Sequence, residues 1–281
     1  MIIGITGYKG MLGTKLTNVL KTLGHTIVGV DLPEHNLLDF KSIETFFVDQ
    51  QIQFLYNCAA FTNVDKCETE YDQAYAVNAL AVQNCAAIAK KLNIPFVHIS
   101  TDYVFNGEAT IPYTTDMLTA PVSAYGRPKD AGEKFVLTTF PEKSFIVRTA
   151  WLYGHHGNNF VETILKFAAT KPELKIVNDQ TGAPTFVDDL VILLVKLLDS
   201  TAYGLYHFTN SGITTWYGFA QEFLRITQST TKVVPCTTDE YPRPSRRPAY
   251  SVLDLSKTEN TFQLTIPSWQ DAIARYMKGR T

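Results

Sequence analysis

The chain has 281 residues, 45% of them hydrophobic and 19% charged, with a formal charge of −2 at pH 7. That is enough chain for one large core or two unequal lobes, and no basic stretch suits a nucleic-acid partner. The four cysteines (58, 67, 85 and 236) show neither metal-ligand nor disulfide spacing. No apolar run approaches membrane-spanning length, so a reducing, cytoplasmic setting without a membrane partner is expected.

In chain order, residues 1–6 form an apolar, β-branched run that predicts a strand. Gly7, Gly10 and Gly13 follow at three-residue spacing, and Leu12, Leu16, Val19 and Leu20 then recur at helical spacing. Strand, tight turn and helix therefore come in succession. Gly7 permits the turn, Gly10 leaves room for a diphosphate, and Gly13 lets the helix lie close to the strand. Unpaired N–H groups at the helix start would face the diphosphate charge. A second strand at 25–30 ends in Asp31, placed to accept hydrogen bonds from both hydroxyls of an adenosine ribose and to repel a 2′-phosphate. The pattern predicts a dinucleotide site. Asp31 favours NADH, while the long side chain of Lys9 could turn toward a 2′-phosphate and admit NADPH as well.

Further on, a helix is predicted at 42–48 with Ser42 as its cap, a strand at 53–57, a long helix at 69–92 and a strand at 96–100. Such βα units build a parallel sheet with helices on both faces, and ligands collect outside the carboxyl ends of its strands. Residues 106–121 read as a loop, 123–137 as a helix and 144–150 as a strand. The second half mixes short elements: helices at 159–169, 186–198, 215–224 and 267–277, and strands at 175–178 and 204–208. Residues 241–248 (YPRPSRRP) read as irregular. The expectation is an α/β protein with a Rossmann-type doubly wound parallel sheet and a smaller carboxy-terminal substrate-binding lobe. Residues 1–150 form the NAD(P)-binding domain in this reading. Residues 151–281 form mainly the substrate-binding lobe, with some segments returning to the first domain.

Tyr125 and Lys129 stand four apart on a predicted helix, so both side chains can share one face. A nearby ammonium would lower the phenol's pKa. The phenol then exchanges a proton with a developing alkoxide. Thr101, at a strand end, is placed to give the same oxygen a second hydrogen bond. A hydroxyl, a tyrosine and a lysine beside a nicotinamide are what carbonyl reduction by hydride transfer requires. Pro128 lies inside this helix and has no N–H for Ala124, so the first turn should bend. Trp151 either covers a flat ring or is a half-buried core residue. Arg243, Arg246 and Arg247 either clamp a diphosphate or form a solvated loop. His155 and His156 lack a third ligand suitably spaced for zinc, and no metal-ligating residues are assigned.

Several segments carry a family resemblance: GITGYKGMLG at 4–13, NCAAFTNVDKCE at 57–68, STDYVFNG at 100–107, YGRPKDAGE at 125–133, RTAWLYG at 148–154, VNDQTGAPTFVDDL at 177–190 and RRPAYSVLD at 246–254. They resemble the dTDP-4-dehydrorhamnose reductases, a branch of the extended short-chain dehydrogenase/reductase superfamily. The resemblance implies reduction of the 4-keto group of dTDP-4-dehydro-β-L-rhamnose to dTDP-β-L-rhamnose by NADH or NADPH. It maps proton donation to Tyr125, with Lys129 and Thr101 beside it. It maps cofactor contacts to Gly10, Met11, Leu12, Asp31, Asp39, Phe40, Ala59, Ala60, Phe61, Tyr125 and Lys129, beside Gly7 and Gly13 of the turn. Sugar-nucleotide contacts map to Thr101, Asp102 and Trp151. The family also implies a homodimer, sometimes with Mg2+ at the subunit contact. The alternatives are a reductase of another nucleotide-linked keto sugar, or a non-catalytic regulatory subunit of the same fold; intact Thr101, Tyr125 and Lys129 argue against the latter.

Overall fold

A computed structural model of the chain describes residues 1–280. Its centre is a parallel sheet of β1 (Ile2–Thr6), β2 (Thr26–Val30), β3 (Phe54–Asn57), β4 (Phe96–Thr101) and β5 (Ser144–Thr149). The chain then makes β6 (Leu152–Tyr153), β7 (Glu173–Val177), β8 (Thr181–Gly182) and β9 (Thr185–Phe186) before β10 (Gly204–His207) returns as the sixth strand. The order across the sheet is β10-β5-β4-β3-β1-β2, with every pairing parallel. Strand order reverses between β1 and β3, and that reversal opens a crevice at the strands' carboxyl ends.

Helices cover both faces. On one, α1 (Met11–Thr22) buries Leu12, Leu16 and Leu20 at four-residue spacing against Ile3, Ile5 and the Leu190, Val191 and Leu194 side of α7 (Val187–Lys196). Burying each such leucine stabilises the fold by roughly 1.5–3 kcal/mol. On the other face lie α2 (Phe40–Asp49), α4 (Ala81–Leu92) and α5 (Gly126–Thr139), with Phe47, Val82, Ile88 and Val136 in a second core.

The helix predicted at 69–92 is three consecutive pieces: α3 (Tyr71–Tyr75), a π-helical turn (Ala76–Leu80) and α4. The helix predicted from Ser42 begins earlier, because the Asp39 carboxylate, not Ser42, caps it by accepting from Ser42 N at 3.1 Å. The strand at 204–208, read as part of the irregular second half, pairs with β5 and widens the main sheet, so carboxy-terminal chain completes the amino-terminal core.

The smaller lobe holds α6 (Phe160–Ala168), β11 (Thr214–Thr215), α8 (Trp216–Ile226), β12 (Lys232–Cys236) and α10 (Trp269–Lys278), while α9 (Ser256–Phe262) packs beside β10. Tyr153, Phe186, Phe219, Phe223, Trp269 and Tyr276 form its aromatic core. Two acids at the start of α7 join the parts. Asp188 pairs with Lys15 of α1 at 2.6 Å, and buried Asp189 pairs with Arg275 of α10 at 2.7 Å. No helix among the described residues is long and apolar enough to cross a membrane.

Candidate active site

A cleft of about 1020 Å3 runs along the carboxyl ends of the sheet strands and up to the smaller lobe. Its lining includes Gly7, Gly10, Met11, Leu12, Gly13, Asp31, Ala59, Ala60 and Phe61 at one end, and Thr101, Asp102, Tyr125, Lys129 and Trp151 toward the other. Asp39 caps α2 through Oδ1, and Phe40 packs against the core on that face of the sheet. They follow directly on Leu37 and Leu38, which line the cleft. A shallower hollow of about 640 Å3 beside α8, lined by Glu222, Arg225 and Trp269 among others, contains none of the expected residues.

The glycine turn is tight for steric reasons. Gly7 has φ +65°, and a Cβ there would lie 2.6 Å from Ala59 N. A Cβ on Gly13 would fall on the Gly7 carbonyl, so only glycine lets α1 sit down on the turn. Gly10 caps α1 without a side-chain bond, and no acid occupies the first turn. The free N–H groups and the helix dipole there suit a diphosphate. Asp31 at the end of β2 is held by Lys9 N at 3.2 Å and Leu32 N at 3.0 Å. Its remaining lone pairs are free to accept ribose hydroxyls. These features fit a dinucleotide.

The π-helical turn was not legible in the sequence, and it shapes the cleft. Asn78 within it accepts from Phe61 N at 2.8 Å and donates to Phe61 O at 3.0 Å, fixing the loop after β3. Close packing of α5 on this turn requires Gly132, where a Cβ would strike the Asn78 carbonyl. Such turns recur at functional sites.

At the chemical centre, Tyr125 takes the cap position of α5, with helical φ and ψ of −81° and −46°. The helix starts at Gly126, not at 123, so Pro128 falls in its first turn, where an N–H has no intrahelical partner to lose. The bend expected there is slight: Lys129 N still reaches Tyr125 O, at a long 3.5 Å. Glycine at 126 is obligatory, since a Cβ would collide with the Tyr103 carbonyl.

Tyr125 and Lys129 share the cleft, but their electrostatics differ from expectation. Buried Lys129 donates from Nζ to Ile99 O at 2.6 Å. Burial lowers its pKa to about 8, with Glu133 and Cys58 acting the other way. Burial also raises the Tyr125 phenol, Asp102 adds to the rise, and the Thr101 hydroxyl opposes it. The lowered phenol inferred from the four-residue spacing is therefore corrected: a buried ammonium must find an acceptor, and the carbonyl at the end of β4 supplies it. Asp102 is 3% exposed. Its Oδ1 accepts from Thr101 Oγ1 at 2.9 Å, and burial raises its pKa to about 7, relieved in part by Thr101 and Ser251.

Below this centre α5 is anchored to the sheet by a buried ion pair. Arg148 of β5 grips Glu133 through Nη2 at 2.6 Å and Nε at 2.9 Å, and Ser100 donates to the same carboxylate. Neither residue was singled out from the sequence, because the pair joins positions far apart in the chain.

Trp151 adopts a left-handed φ of +48°, unusual for a residue with a Cβ. Its indole stacks on Trp216, with ring centroids 3.6 Å apart at 13°, and packs against Gly182, where a Cβ would lie 2.7 Å from the ring. Trp216 lines the cleft too and carried no signal beyond its letter. Arg247 reaches the cleft, bonding Tyr103 OH at 3.0 Å and Asp65 at 2.8 Å. Arg243 approaches the same carboxylate at 3.6 Å, whereas Arg246 pairs with Glu108 away from the cleft. Among the described residues no group of three or more His, Cys, Asp or Glu is gathered for a metal, so no step is assigned to magnesium.

The "RmlD substrate binding domain" family matches residues 1–281. The chain belongs to the dTDP-4-dehydrorhamnose reductase family, within the short-chain dehydrogenase/reductase superfamily. It is 40% identical over 277 residues to the spore coat polysaccharide biosynthesis protein SpsK of Bacillus subtilis (strain 168), covering 99% of this chain and 97% of that one. It is 36% identical to a dTDP-4-dehydrorhamnose reductase of Mycolicibacterium smegmatis, covering 96% of this chain and 83% of the relative. Among solved structures, that of a dTDP-4-dehydrorhamnose reductase from Clostridium acetobutylicum superposes with a TM-score of 0.97 at 42% identity, over 100% of this chain and 99% of that one. A family member from Bacillus anthracis, solved in complex with NADP, gives a TM-score of 0.96 at 34% identity, over 99% of both chains.

Proposed function

We propose that the cleft carries out the family reaction through Thr101, Tyr125 and Lys129. The chain is an NAD(P)H-dependent oxidoreductase that reduces dTDP-4-dehydrorhamnose to dTDP-rhamnose. What supports this assignment of roles most is the meeting, in one cleft, of a glycine turn at a helix start with a buried hydroxyl, phenol and amine.

Gly7, Gly10, Met11, Leu12 and Gly13 would hold the diphosphate of the dinucleotide, Asp31 its adenosine ribose, and Ala59 to Phe61 the wall beside it. A reduced nicotinamide bound here supplies the hydride. Tyr125 donates a proton to the oxygen that becomes the sugar's 4-hydroxyl. Its raised pKa suits the reductive direction: the phenol stays protonated, and a nascent alkoxide is a far stronger base than any phenolate. Thr101, whose hydroxyl here donates to Asp102, would turn that proton to the same oxygen. Lys129, held on Ile99 O, is positioned to meet ribose hydroxyls and to add positive potential beside the phenol. The Trp151–Trp216 stack gives a flat wall for the sugar nucleotide, and residues from 151 onward supply most of that side. A cytoplasmic setting fits a diffusible nicotinamide, and the homodimer expected from the resemblance is checked by sedimentation.

The deciding experiment mixes the purified chain with dTDP-4-dehydrorhamnose and NADH or NADPH, and follows loss of reduced-cofactor absorbance and formation of dTDP-rhamnose. Absence of both with either cofactor refutes the reading. A relative from Streptomyces niveus, 34% identical, is a dTDP-4-keto-6-deoxy-D-glucose reductase, so that hexulose belongs in the substrate panel.

A further inference from the structure

We propose that Asp102 works as a protonated carboxylic acid, donating to Thr101 so that the Thr101 hydroxyl can give its own proton to the sugar's 4-oxygen. The inference rests on the reading of Thr101 above and deepens it. Asp102 is then a positioning residue that acts through Thr101.

A threonine hydroxyl has one proton and two acceptor sites. At Thr101 the Tyr103 N–H takes one acceptor site at 3.2 Å, and the proton goes to Asp102 Oδ1 at 2.9 Å. A hydroxyl so engaged has nothing to donate to a ketone or an alkoxide. Two arrangements release its proton. In the first, Thr101 turns away from an ionised Asp102, a residue 3% exposed whose Oδ2 already has no hydrogen-bond partner. A buried charge would lose support it can hardly spare. In the second, Asp102 carries a proton and the bond reverses. The carboxyl donates to the remaining acceptor site of Thr101, and the threonine proton points at the substrate.

The surroundings favour the neutral acid. Lys129 and Arg247, the lysine and arginine lining the cleft, are both committed elsewhere, the first to Ile99 O and the second to Tyr103 and Asp65. The groups that act on the carboxyl are the Thr101 and Ser251 hydroxyls and the backbone at 102 and 103, while Tyr103 and Tyr125 are phenols with raised pKa values. Burial outweighs them and lifts Asp102 to about 7. A neutral Asp102 also spares Tyr125 a negative neighbour, so the phenol gives up its proton more readily. Protons balance simply: the sugar oxygen receives the Tyr125 proton, and the Asp102 proton stays in its hydrogen bond throughout.

The test compares the natural chain with Asp102→Asn, whose amide can donate as the acid does but cannot ionise. Initial rates with saturating dTDP-4-dehydrorhamnose and reduced cofactor are followed from pH 5.5 to 9. The variant's kcat divided by that of the natural chain cancels the titrations of Lys129 and Tyr125, which both proteins share. Between pH 6 and 8 this ratio should rise by about tenfold, as the natural chain loses its protonated fraction across a pKa near 7. Asp102→Leu, which has no donor, should give a lower kcat than Asp102→Asn at every pH. A flat or falling ratio, or an asparagine variant no faster than the leucine one, would overturn the inference. Infrared difference spectra of the natural chain between pH 6 and 8.5 serve even where a variant does not fold: a protonated-carboxyl band titrating near 7 is expected, and its absence refutes the neutral acid. No turnover by the natural chain at any pH with either cofactor would instead overturn the reading of the site itself.

Discussion

The amino-terminal end of the cleft is built around a glycine turn, whereas the other end is built around large side chains. On the first, glycines at 7 and 13 bring a turn and a helix start within van der Waals reach of one another, and the first N–H groups of α1 have no side-chain cap. On the second, a tryptophan with left-handed φ leans on another tryptophan, and an arginine is shared between a tyrosine and an aspartate. Dinucleotides share a diphosphate that backbone N–H groups can hold whatever the rest of the ligand is. A particular sugar nucleotide needs shaped surfaces, which side chains from scattered segments can provide. Tyr125 and Lys129 sit where the walls meet.

The sharpest way to break this comparison is at the meeting point. Tyr125→Phe should cut turnover by roughly 10³-fold, the scale of losing a positioned proton donor. NADH should still bind, because the amino-terminal wall is untouched. Initial rates beside a fluorescence titration check this, and near-normal turnover would sink the role given to the phenol.

Next in size is the support beneath α5. Glu133→Gln strips the buried Arg148 guanidinium of its counter-charge and should destabilise the fold by about 3–5 kcal/mol. A urea midpoint that does not move would show the pair to be dispensable.

On the side-chain wall, Trp151→Ala should raise the KM for the sugar nucleotide by about tenfold, the upper range for one aromatic contact. The KM for NADH should change much less. Equal shifts in both would argue that the indole only holds the lobes together.

A pH dependence tests the same centre from another side. Asp102 has a raised pKa of about 7 against an ordinary 3.8. Between those values the unfolded chain binds fewer protons than the folded one, so stability falls as pH rises through that window and levels off above about 7. For Lys129, lowered to about 8 from 10.5, the unfolded chain binds more protons between those values, and stability rises with pH there. Asp102→Asn should flatten the lower window and leave the upper one. Thermal melts across pH 4 to 10 would separate the two.

Sequence by itself determined the amino-terminal βαβ unit, the dinucleotide turn and the Tyr125–Lys129 spacing. In each, the residues that must cooperate lie within one or two turns of chain, so local sterics and periodicity reveal them. It did not determine where Lys129 points, since that depended on the Ile99 carbonyl of β4 lying within reach. Nor did it reveal that residues 204–207 extend the main sheet, that residues 76–80 form a π-helical turn clamping Phe61, or that Trp216 backs Trp151. Those features join segments 17 or more residues apart, and only packing of the chain brings them into contact.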